Sequence, residues 1–240
     1  MADQSKRAAG LWAVVATLLL VQAAWAGAQA PPNNDPTQPG LGGRAPGGGH
    51  QTLWLQDVSA TTPWPHICQD YGTPSGVNDT YIADDFTTSH MWKIDKIFVP
   101  GDTWGDPCAL SCAYNLNWLV YADDDGKPAG NPESSVPAPE WSASRLPGDT
   151  EVTLSTGSGG NLTNVTLTLS SPLLLSPGTW WLVFYPTLSY QTCSCYYGRQ
   201  PSDTTNGYDA QVINPGEGLF LPKTLTSVQS SSTFSLSEQD

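Results

Sequence analysis

The chain has 240 residues and a formal charge of -13, from 9 Lys and Arg against 22 Asp and Glu. Its basic residues form no cluster that could neutralise a row of phosphates, which argues against nucleic acid as a partner. Only 13% of residues are charged, so solubility rests on Ser, Thr, Asn and Gly, a balance suited to an exported protein.

MADQSKR supplies a basic start, and AAGLWAVVATLLLVQAAWA follows as an apolar run ending in small residues. That is the pattern of a secretory signal peptide over residues 1–30, with cleavage after Ala26, Ala28 or Ala30. A retained membrane anchor is the alternative. Losing Lys6, Arg7 and Asp3 with the leader leaves 7 basic against 21 acidic residues. Residues 31–50 hold almost no large apolar side chains and read as a flexible Gly/Pro-rich linker. One domain is expected over 51–223, followed by a polar, loosely held tail over 224–240.

Within the domain no window keeps an apolar stripe at helical spacing, whereas alternating runs bounded by turn residues recur. In TYIADDFTTSHMWKIDKIFVPGDTW, Trp92 and Ile94 share one parity while Ile97 and Val99 share the other, so a β-bulge near Asp95 and Lys96 is needed to bring all four to one face. Next, Tyr114, Leu116, Trp118 and Val120 alternate with Asn115 and Asn117, and a tight Asp-Gly hairpin follows at ADDDG. Val165, Leu167 and Leu169 alternate with threonines. Pro177 and Gly178 mark a turn before Trp180–Tyr185, a strand apolar on both faces and hence central. The fold class is all-β: a two-sheet antiparallel sandwich, of jelly-roll type.

Five cysteines, Cys68, Cys108, Cys112, Cys193 and Cys195, point to disulfides in an oxidising compartment. Cys108 and Cys112 are close enough to form a small loop, and one of Cys193 or Cys195 is expected to reach Cys68. A zinc site from His66, Cys68 and the Cys-Ser-Cys pair is the alternative, and the odd cysteine offers a means of covalent self-association. Asn78, Asn161 and Asn164 begin Asn-x-Thr sequons, glycan acceptors in a eukaryotic secretory pathway.

Asp84 and Asp85 are adjacent, so in a strand they face opposite ways and cannot form a catalytic dyad. A strand-end acid capped by backbone N–H groups is the preferred reading, and structural Ca2+ at these two residues is the other. His50, His66 and His90 form no nucleophile pattern, and no Gly-x-Ser-x-Gly elbow exists. Rings in or beside loops, Trp64, Trp104, Trp141, Tyr190, Tyr196, Tyr197 and Tyr208, are suited to stack on sugars while Arg199 takes hydroxyls. Trp141, Tyr196, Tyr197 and Arg199 are the chosen ligand-binding set.

The ordered words IADDF, MWKIDKIFVPG, VYADDDGKPAG, LSPGTWWLVF and INPGEGLF resemble a group of secreted bacterial jelly-roll-like β-sandwich modules, over roughly residues 82–220. The resemblance implies an accessory or surface-displayed part of an exported protein and brings no catalytic residues. The cysteines and sequons depart from that pattern and leave a eukaryotic secreted relative open. The expected function is a secreted, non-enzymatic module that binds glycan or an extracellular matrix component, or builds an extracellular assembly. An exported polysaccharide hydrolase using two carboxylates and a purely structural extracellular subunit are the competing readings.

Overall fold

The computed structural model describes residues 50–61, 65–72, 76–105, 108–134, 136–157, 160–218, 226–227 and 231–239. The leader, the linker up to residue 49 and Trp64 lie outside them. Two sheets are packed face to face. One runs in the order β1 (His50–Gln56), β16 (Phe234–Gln239), β4 (Trp92–Val99), β9 (Leu162–Leu175), β8 (Val152–Thr156). The other runs β14 (Thr226–Ser227), β13 (Gln211–Ile213), β3 (Tyr81–Thr88), β10 (Gly178–Thr187), β6 (Asn115–Ala122), β7 (Trp141–Arg145). A smaller sheet holds β2 (His66–Ile67), β11 (Cys195–Arg199) and β5 (Gly101–Gly105), and β12 (Pro201–Ser202) pairs with β15 (Ser231–Ser232). Every ladder between these strands is antiparallel. The two packed antiparallel sheets are the sandwich expected from the sequence, accompanied by smaller sheets of three and two strands.

Alternation explains the packing. Leu116, Trp118 and Val120 on β6 meet Leu182 and Phe184 on β10, and across the interior they face Val165, Leu167, Ile94 and Ile97. Burying each such side chain stabilises the fold by roughly 1.5–3 kcal/mol. The register of β4 on β9 shifts between Ile94 and Lys96, and the resulting bulge turns Trp92, Ile94, Ile97 and Val99 all into the core. Tyr114, expected to share the inward face, precedes β6 and stands exposed. Asp125 and Gly126 both take left-handed φ, 54° and 77°, as a two-residue hairpin with primed turn geometry requires. Their closure is sealed by the Asp124 N–H donating to the Lys127 carbonyl at 2.8 Å.

Central β10 is apolar on both faces because both are covered. Trp181 and Val183 point away from the sandwich interior and join Tyr81, Ala83, Tyr121 and Ile213 under surrounding loops. Tyr208 stacks on Trp181 at 6.0 Å.

The expected loose tail is a correction. Phe234 and Leu236 alternate with Ser235 and Ser237, so β16 presents two apolar side chains to the core while its backbone pairs with β1 on one side and β4 on the other. Short serines hide this strand signal from a composition-based reading.

Candidate functional site

On β5 and β11, Trp104 lies directly opposite Tyr196, so both side chains stand on one face of the small sheet. Their rings stack at 6.1 Å with 26° between planes. Tyr190, on the short helix α1 (Tyr190–Cys193), continues the stack at 4.9 Å and 34° from Tyr196. Tyr71 meets Tyr196 edge-on at 6.2 Å. Tyr190 is 40% exposed, Trp104 and Tyr196 are half-buried, and Tyr71 is buried. Tyr196 is the middle ring. Tyr114 borders the patch, with its hydroxyl 3.1 Å from the Thr192 hydroxyl on α1.

Two disulfides fasten the segments that carry these rings. Cys108 pairs with Cys195 and Cys112 with Cys193, with Cα separations of 5.6 and 6.0 Å. This corrects the expected Cys108–Cys112 loop and the expected bridge to Cys68. Ser194 takes a left-handed conformation, φ 54° and ψ 30°, between α1 and β11. Cys193 and Cys195 on its two sides can then meet separate partners on one opposing segment around the 3-10 turn Leu110–Cys112. The bridges span 87 and 81 residues, so each removes much chain freedom from the unfolded state, about 4 kcal/mol for the first to close.

Cys68 stays a thiol. It is fully buried, donates from Sγ to the Phe184 carbonyl and accepts the Ile82 N–H at 3.3 Å. Burial pushes its pKa up to about 11. A sealed, protonated thiol is not placed to join two chains. His66, held down to about 4 first by burial and then by Arg199, lacks the free sulfurs of the Cys-Ser-Cys pair for a zinc set. Among the described residues no group of three His, Cys, Asp or Glu side chains is arranged to hold a metal ion.

The remaining members of the expected binding set are not brought to the stack. Arg199 is fully buried between the sheets, donating from Nη1 to the carbonyls of Ile82 and Leu182 at 3.1 and 3.3 Å and from Nη2 to that of Thr233 at 3.5 Å. Its guanidinium also lies 5.7 Å from the Phe234 ring centre. Tyr197 points inward, edge-on to Phe184 at 5.7 Å. Trp141 sits on edge strand β7 opposite Val120 and packs on the core. Alternation along β11 explains the split: Tyr196 faces out, Tyr197 in, and the inner end of the strand carries Arg199.

Asp84 and Asp85 lie in the middle of β3, which corrects the strand-end expectation, although backbone N–H groups do meet both. Asp84 accepts the Ser232 N–H and Gln56 Nε2, the latter at 3.0 Å. Burial pushes its pKa well up, and Arg199 opposes that push. Asp85, on the other face, accepts the Tyr208 N–H at 2.9 Å and is pushed up to about 7, first by burial, with Asp123 adding. The two carboxylates face opposite ways along β3, and each is met by N–H donors.

A second group of acids was not legible in the sequence. Asp79 accepts the Tyr71 N–H at 2.7 Å, and Asp70 takes the Thr187 hydroxyl at 3.0 Å. Glu133 accepts the Tyr81 hydroxyl. Burial pushes Asp79 up to about 7, and Asp70 and Glu133 add to the push. These three positions come from distant parts of the chain, and no local spacing announces them. Asn78 lies on the 3-10 turn Gly76–Asn78, Asn161 in the β8–β9 turn and Asn164 on β9. No family model, curated protein or solved structure matches the chain.

Proposed function

We propose that this chain is a secreted, non-enzymatic β-sandwich module that binds a neutral glycan of the extracellular space through the Trp104–Tyr196–Tyr190 stack. The observation that carries the reading is a half-open row of three rings on a strand pair and helix held by two adjacent disulfides. Aromatic faces and edges suit the apolar C–H faces of sugars, and a stapled support limits the ordering cost of binding. The leader-like N-terminus and the disulfides both fit export. Charge selects the glycan class. Asp102 lies opposite Gly198 in the same small sheet, two residues before Trp104, while Arg199 is buried. Lys93 and Lys96 lie on β4, Lys127 in the hairpin, and Arg145 on β7 paired with Glu151. Among the described residues, none of these cations stands on the strands and helix that carry the stack with its charge open to solvent, which disfavours sulfated or uronic-acid polymers.

Titration against neutral and sulfated oligosaccharides tests this, with expected binding only to the neutral class. Trp104→Ala or Tyr190→Ala should weaken it about tenfold, or about 1.4 kcal/mol, while Tyr208→Ala, an exposed ring elsewhere, leaves it unchanged. Preference for the sulfated polymers, or indifference to both ring deletions, would overturn the reading.

A second reading has one specific support. A carboxyl raised to about 7 beside two others, Asp79 with Asp70 and Glu133, is the kind of group that serves glycoside hydrolysis as an acid. Release of reducing ends from a neutral polysaccharide, abolished by Asp79→Asn, would favour a hydrolase.

A further inference from the structure

We infer that Asn161, and neither Asn78 nor Asn164, carries an N-linked glycan in the folded protein. In the transfer, the side-chain nitrogen of the asparagine bonds to the anomeric carbon of an oligosaccharide held on a lipid pyrophosphate. The lipid pyrophosphate leaves and the nitrogen gives up one proton. The enzyme reads the hydroxyl two residues on, yet Thr80 and Thr163 are buried in the finished fold. The Thr163 hydroxyl donates to the Gly101 carbonyl at 2.8 Å. Attachment therefore precedes folding, and the fold acts afterwards as a filter, accepting a sugar only where the asparagine nitrogen ends in solvent.

Asn164 fails this filter. Its Oδ1 accepts the Gly101 N–H at 3.1 Å and its Nδ2 donates to the Thr156 carbonyl at 3.0 Å, so the carboxamide bridges from β9 to the start of β5 and the end of β8. A sugar on that nitrogen has to share a junction already filled by backbone. Asn78 fails for another reason. The loop at Gly216 and Gly218 lies directly on its 3-10 turn: a Cβ added at Gly218 would come within 2.6 Å of Asn78 Oδ1. The Asn214 side chain pins that loop by donating to the Gly218 carbonyl at 2.9 Å.

Asn161 passes. It sits in the β8–β9 turn, where its backbone carbonyl accepts the Gly157 N–H at 2.8 Å. Its half-exposed side chain is hydrogen-bonded by no described residue, and the following Leu162 is exposed. The hydrogen bonds at this position use the Asn161 backbone carbonyl, from the Gly157 N–H and the Thr163 hydroxyl, and leave the side-chain amide for the sugar. This inference is independent of whether the domain binds glycans.

The full chain, secreted from eukaryotic cells, can be treated in heavy-oxygen water with an amidase that converts a glycosylated asparagine to labelled aspartate. Peptide masses should place the label at position 161 and leave 78 and 164 as asparagine. Asn161→Gln should abolish the glycan-dependent mobility shift without lowering the melting temperature. Asn164→Gln should keep the shift and lower the melting temperature, because two cross-strand hydrogen bonds go. Label at 78 or 164, a shift that survives Asn161→Gln, or a secreted chain with no glycan each overturns the inference.

Discussion

Arg199 and Tyr196 stand three residues apart on one strand, yet the first is sealed between the sheets against Asp84 and Phe234, while the second stands in a partly open ring stack. The contrast separates two kinds of dependence. The interior group holds backbone carbonyls of β3 and β10 to the segment at Thr233, so its loss is felt as stability. The stack adds little to the core and is expected to matter to a ligand. β11 thus carries both structural residues and the middle ring of the proposed recognition stack, and the disulfide at its first residue supports both.

The comparison is broken most severely at that shared point. Serine at both Cys193 and Cys195 removes both bridges and should cost about 4 kcal/mol in chemical unfolding, with glycan binding lost in the same variant. Next, Arg199→Leu strips three carbonyls of their donor and should cost about 3 kcal/mol. Adding Asp84→Asn should recover part of that loss, and a strictly additive pair would mean the two groups do not interact.

A smaller effect appears with pH. Asp79 and Asp85 are held up to about 7 against an ordinary 3.8, so the folded state keeps their protons more tightly than the unfolded chain does. Their stabilisation is present in full below pH about 4 and is lost as pH rises through about 7. Asp70 and Glu133 around Asp79, and Asp123 around Asp85, act in the same direction, as does the raised Asp84 despite Arg199. Glu151, held down to about 2 by Ser170 and then Arg145, acts oppositely but only below its ordinary 4.5. Between pH 5 and 8 stability should fall by on the order of 1–2 kcal/mol, and Asp79→Asn should flatten that slope. A melting temperature that climbs over this window would contradict the assignment. Trp104→Ala closes the series: less than about 1 kcal/mol of stability, against the tenfold affinity loss that defines its role.

How much of this was legible depends on range. The parity switch between Ile94 and Ile97 announced the bulge, because a bulge is a local event in one strand. Asp125 and Gly126 announced their hairpin for the same reason. The apolar doublet pattern of Trp180–Tyr185 gave a central strand. The cysteine partners were not readable, since pairing across more than 80 residues depends on which loops the sandwich brings together. Arg199 carries no local mark of burial, as its partners Ile82, Leu182 and Thr233 come from three separate strands or turns. Trp104 and Tyr190 were legible only as rings near loops, and their meeting at Tyr196 follows from a cross-strand register that sequence spacing does not fix.

β16 lies between β1 and β4, so the first and last described strands are neighbours inside one sheet. Before β16 is made, β1 has no partner in this sheet, and the edges on either side of its place stay open. Closure of this sheet must wait until Phe234 and Leu236 are in place, which makes β16 the latch between β1 and β4 and leaves a chain clipped before it as an unfinished, adhesive intermediate.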